Sequence, residues 1–260
     1  MNSPSMIIDE VVALGIKKSA YSNLQVLFLA FFGGLFIGLA GIASTIASTT
    51  IANPSLAKLI SSLIFPFGLL MIVLTGTELF TSNSLIIISV LEKKVPLKRM
   101  MLNLLLVYLG NACGTIFTVL LLYFAKTFNM FGGLLGEYAL NISELKNQVT
   151  FLQAFSSGIL CNVLVCLAVW MSFATTKFSG KIFIIYFPVL LFVLCGFEHS
   201  IANFYYGPAG LAASYALDLD CNFTFFSFFL KNIIPATLGN IIGGAGLIGF
   251  GTWFLFKVKK

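Results

Sequence analysis

Two apolar stretches of this 260-residue chain are too long to cross a bilayer as single helices, which narrows the possible folds more than any other feature. Between Lys58 and Lys93 lie 34 residues, and between Lys181 and Asp218 another 36. As one helix the first would run roughly 51 Å, against a hydrocarbon core of about 30 Å. Tilt absorbs only a few residues. Each stretch is therefore expected to be two half-helices joined by irregular backbone, at Gly76 to Phe80 and at Gly196 to Asn203. Irregular backbone at that depth is tolerated only where it is buried in protein or lines a cavity, so both joints are expected beside a pore.

The rest of the chain reads as membrane protein too. Apolar segments fall at about residues 24 to 47, 59 to 91, 101 to 125, 150 to 174, 182 to 213 and 229 to 256. Charged residues make up 9%, where a soluble domain carries about a quarter. Lys and Arg accumulate in cytoplasmic loops. Eleven of the fifteen lie on one side of this map: Lys17, Lys18, Lys93, Lys94, Lys98, Arg99, Lys177, Lys181, Lys257, Lys259 and Lys260. Lys58, Lys126, Lys146 and Lys231 lie on the other. Six crossings with both termini cytoplasmic follow, in a multi-pass protein of the cell membrane. The net charge of +6 reports that orientation and makes no case for nucleic acid.

The resulting map is one transmembrane domain. Residues 1–22 are expected to hold an amphipathic helix on the cytoplasmic interface, begun by Ser3 and Pro4, with a frayed tail as the alternative. Residues 23–126 form one repeat, 127–149 an extracellular loop and 150–256 a second repeat. Cys113, Cys161, Cys166, Cys195 and Cys221 have no paired spacing and read as small hydrophobes, with no metal or cofactor site.

The repeat is visible in three matched motifs. FFGGLFIG at Phe31 pairs with FSSGILCN at Phe155, LTGTELFTSN at Leu74 with LCGFEHSIAN at Leu194, and LGNACG at Leu109 with LGNIIG at Leu238. The displacements are 124, 120 and 129 residues, in one order. Three crossings per half make the repeat inverted, an arrangement that places the substrate path near the midplane between broken helices.

Three ionisable side chains fall inside the membrane segments at the joints, Glu78, Glu198 and His199, each a functional hypothesis by default. Glu78 and Glu198 share a repeat position, which favours an architectural role: accepting backbone N–H groups freed where the helix breaks. His199 is the one histidine of the chain, and its repeat partner is Leu79. That asymmetry favours a role toward the permeating species, as hydrogen-bond or proton donor. Glycines four apart, such as Gly110 and Gly114, suit close helix packing.

Through LTGTELFTSN, GILCNVLVCLAVWMS (Gly158 to Ser172) and GFEHSIAN (Gly196 to Asn203), the chain resembles the formate/nitrite transporter family over essentially its whole length. Within it the overall likeness is to the hydrosulfide-channel branch, with no single motif behind that preference. The resemblance implies an all-α, aquaporin-like protomer, five protomers in a homopentamer, and a pore in each. It implies His199 as the central histidine, with Thr81 and Asn162 as polar neighbours. It further implies an outer constriction of Phe65, Val165 and Phe192 and an inner one of Leu69, Leu79 and Phe80. Lys146 matches a vestibule lysine, and Glu198 and Asn203 match positions supporting the histidine loop.

A physical account fits that picture. An anion loses its hydration in an apolar slit with little return, whereas the neutral acid loses far less. A cationic vestibule gathers the anion, and a polar gap holds it while a proton is shared. The expected function is a channel for weak-acid anions such as hydrosulfide, formate or nitrite. A proton-coupled secondary transporter is the second reading. An enzyme is disfavoured for want of a metal cluster or a paired nucleophile and base.

Overall fold

The computed structural model describes residues 1–257, so Lys259 and Lys260 of the charge map lie outside the described residues. Among those described, all regular structure is helical. Helix α1 (Pro4–Ala20) begins as expected: the Ser3 hydroxyl accepts from the Met6 N–H, and Pro4 fills the first turn, where a missing donor costs nothing. Its apolar face meets protein, however. Ile7, Ile8 and Val11 are buried, and Ser89 donates to the Val12 carbonyl at 3.1 Å. The helix is docked against the helical bundle.

Helix α2 (Asn23–Ser48) is followed by α3 (Pro54–Ile64) and α4 (Phe67–Thr75), which bend into each other at Phe65 and Pro66, where proline cannot continue the ladder. After the first break come α5 (Phe80–Asn83), α6 (Ile86–Leu91) and α7 (Leu97–Phe124). The expected loop at 127–149 contains a fourteen-residue helix, α8 (Leu134–Asn147). Leu135, Ala139 and Ser143, spaced four apart, are buried, and Ser143 donates to the Tyr206 carbonyl at 2.6 Å. A polar composition hid that packed face.

Helix α9 (Phe151–Ser172) opens with a capping box of Thr150 and Gln153. Helices α10 (Phe178–Leu194) and α11 (Ser200–Leu217) flank the second break. The last apolar segment is α12 (Phe225–Phe228), α13 (Ile234–Ile241) and α14 (Gly251–Phe256), joined by π-helical turns into one run, Phe225–Phe256.

Among the described residues five helices are long and apolar enough to cross a membrane: Asn23–Ser48, Pro54–Thr75, Leu97–Phe124, Phe151–Ser172 and Phe225–Phe256. Phe80–Leu91 and Phe178–Leu194 are shorter apolar helices. The first break spans Gly76 to Leu79, off-centre because the helix before it already has 22 residues. The second is tighter than expected: Ser200 to Asn203 belong to α11.

Helix α2 lies along α7, and α9 along α13, the same pairing in each half. Backbones touch there. A Cβ on Gly34 would overlap the Asn111 backbone, and one on Gly239 the Phe155 carbonyl, so neither position accommodates a side chain.

Candidate functional site

Both breaks are held by an asparagine from a neighbouring helix. At the first, Asn111 of α7 accepts the Phe80 N–H at 2.9 Å and donates to the carbonyls of Ala30 (2.7 Å) and Glu78 (2.9 Å). At the second, Asn240 of α13 accepts the Ser200 N–H at 2.9 Å and donates to Gly158 (2.8 Å) and Glu198 (3.0 Å). One amide thus serves the donor and the carbonyl that an unwound segment exposes, and ties the joint to a neighbouring helix through a second carbonyl. Gly76 and Gly196 begin the breaks with φ of 73° and 72°, a left-handed turn that glycine adopts without strain.

The carboxylates therefore do not cap the loops, contrary to expectation. Glu78 pairs with Lys18 of α1 at 3.0 Å and accepts from the Asn83 amide, which also donates to Asn103 at 2.9 Å. Glu198 pairs with Lys146 of α8 at 2.7 Å and accepts from Asn203 (2.7 Å) and Asn232 (3.3 Å). Each half carries the same Lys, Glu, Asn, Asn cluster. A buried carboxylate needs a countercharge and hydrogen-bond donors, and each of these has a lysine and at least one asparagine amide.

His199 has an architectural role that the comparison with Leu79 did not reveal. It is the N-cap of α11: its Nδ1 accepts from the Ala202 N–H at 3.0 Å. With Nδ1 accepting, the neutral ring carries its proton on Nε2, 3.0 Å from the Thr81 hydroxyl, and donates to it. The ring also stacks on Phe192 with centroids 5.8 Å apart, and Phe192 meets Phe65 edge-on at 5.9 Å. All are buried.

A cavity of about 410 Å³ opens above this group. Phe65, Phe192, His199 and Asn203 line it, together with Lys146, Lys58 and Tyr206. The other constriction residues, Val165, Leu69, Leu79 and Phe80, are buried in the core and do not line it; nor do Thr81 and Asn162. Asn162 reaches the Thr81 carbonyl (3.2 Å) and the Asn240 carbonyl (2.6 Å), so it braces the backbone beside Thr81 and makes no bond to His199. Lys146, expected as a vestibule lysine, lines the cavity, pairs with Glu198 and lies over the Tyr206 ring at 5.2 Å.

Sequence reasoning missed Asn111, Asn240, Lys18, Asn103, Asn232 and Lys58. Asn111 and Asn240 stood inside the matched LGN motifs, where only the glycines were weighed, and their common polarity within an apolar repeat was the available signal.

The formate/nitrite transporter family model matches residues 5–254. This chain is a member of that family. The formate channel FocA of Escherichia coli (strain K12) is 35% identical, covering 97% of this chain and 94% of its own. Among solved structures, a pentameric formate channel with formate bound matches with TM-score 0.80 at 35% identity, covering 90% of this chain and 97% of that one. An FNT family ion channel matches with TM-score 0.85 at 26% identity, covering 96% and 98%. Family membership and the long apolar helices make the chain a multi-pass membrane protein of the transport class, not an enzyme.

Proposed function

We propose that this member of the family is a channel for small monovalent weak-acid anions, each protomer of a homopentamer carrying its own pore. The observation that carries the reading is the ring of His199, whose donor faces the Thr81 hydroxyl directly beneath the Phe65 and Phe192 pair at the cavity floor. A polar point between apolar walls admits a species that sheds its charge by taking a proton and rejects one that cannot. In this reading Val165 completes the outer constriction, and Leu69, Leu79 and Phe80 form the inner one. Asn162, Asn203, Glu198 and Glu78 hold the frame.

Formate leads the substrate series because relatives bear the name formate channel and a matching structure holds formate. Nitrite and hydrosulfide share its size class and weak-acid chemistry. The matched hydrogen bonds of the two breaks support two inverted three-helix repeats, hence six crossings, and the uneven Lys and Arg distribution supports cytoplasmic termini in a cell membrane protein. The pentamer is supported by the pentameric relative.

The test is flux into liposomes holding the purified protein, comparing formate, nitrite, hydrosulfide and chloride over a pH series. The channel reading expects downhill passage of the three weak-acid anions and little chloride. Uphill uptake under a proton gradient, with no flux at uniform pH, would select the secondary transporter instead.

A further inference from the structure

We propose that Lys58 captures the anion at the vestibule mouth, an inference that rests on the channel reading above. Lys58, Ser61 and Phe65 follow one face of α3 at spacings of three and four, and all three line the same cavity. The helix thus presents a cation two turns from the aromatic floor.

Charge bookkeeping singles Lys58 out. The cavity wall carries Lys146 and Lys58, but Lys146 is committed to Glu198 at 2.7 Å. Lys58 has no carboxylate within 4 Å among the described residues, and it is exposed. It therefore supplies the net positive potential of the vestibule, and an unpaired ammonium is what draws an anion in. Its Nζ lies 3.7 Å from where a Cβ on Gly196 would stand. That is an ordinary contact distance, so the ammonium lies against the start of the second break.

A structural alternative exists: Lys58 could offset the negative end of α10, which terminates just before Gly196. That role predicts a change in stability with no change in the concentration dependence of flux, so the two separate cleanly.

The experiment measures formate influx into liposomes against formate concentration and ionic strength. Lys58→Gln is expected to raise the half-saturating concentration about three- to tenfold, leave maximal flux within about twofold, and flatten the salt dependence. Lys58→Arg should stay near wild type. Should the glutamine variant fold poorly, charge is set after folding. Lys58→Cys, with Cys113, Cys195 and Cys221 replaced by Ser, is treated with an aminoethyl or a sulfonatoethyl methanethiosulfonate. The cationic adduct should restore low-concentration flux and the anionic one depress it. Equal flux with both adducts, or an unchanged half-saturation and salt dependence in Lys58→Gln, overturns the proposal. Wild-type liposomes that pass none of the weak-acid anions would instead end the channel reading itself.

Discussion

Replacing Asn240 by Leu removes an amide of nearly the same volume from the joint that positions His199. The Ser200 N–H and the Glu198 carbonyl lose their partners, while Gly158, mid-way along α9, keeps its helical ladder. All of these groups are buried, so water cannot replace the amide. At about 1 to 3 kcal/mol for each of the two orphaned groups, the variant should lose about 2 to 6 kcal/mol. Interhelical hydrogen bonds in membranes average nearer 0.6 kcal/mol, which favours the lower end of that interval. Thermal unfolding of the detergent-solubilised protein should fall by roughly 5 to 15 °C. Formate flux should fall with it, since the released loop carries His199. Asn111→Leu strips the same kinds of group from Phe80 and Glu78, so its thermal loss should be of the same size. If either variant melts and conducts as wild type, the loops are held by something other than these amides.

Three further outcomes test the site and its frame. His199→Asn keeps a good N-cap for α11 but cannot reach Thr81, so the protein should assemble while the pH profile or anion ranking of flux changes. His199→Leu removes the cap as well, at a cost of about 1 kcal/mol, and should suppress anion passage further. A well-assembled asparagine variant with wild-type rate, pH profile and ranking would confine His199 to its capping role. Lys146→Glu sets two carboxylates face to face and breaks a partly buried pair, so stability should drop by up to about 3 kcal/mol and anion uptake should fall most at low salt. Unchanged uptake across ionic strengths would remove Lys146 from anion attraction. Cysteines introduced at Lys94 and at Lys146 should react from opposite sides of the membrane, and labelling of both from one side would sink the six-crossing map.

The chain's own pattern determined its solvent, the positions of both helix breaks and the repeat, because these follow from segment length, charge distribution and motif order along the backbone. The overlong stretches required a joint near Gly76 and another near Gly196, and the joints are there. What holds them was decided only in three dimensions. Asn111 reaches a loop 31 residues away, and Asn240 one 40 residues away, through contacts that no local periodicity encodes. The same is true of Lys18 with Glu78 and of α1 packed on α6, protein partners that the helix's own periodicity does not name. His199 shows the limit most sharply. Its mismatch with Leu79 pointed to the permeating species, yet capping depends on where the Ala202 N–H points, and only the folded backbone sets that direction.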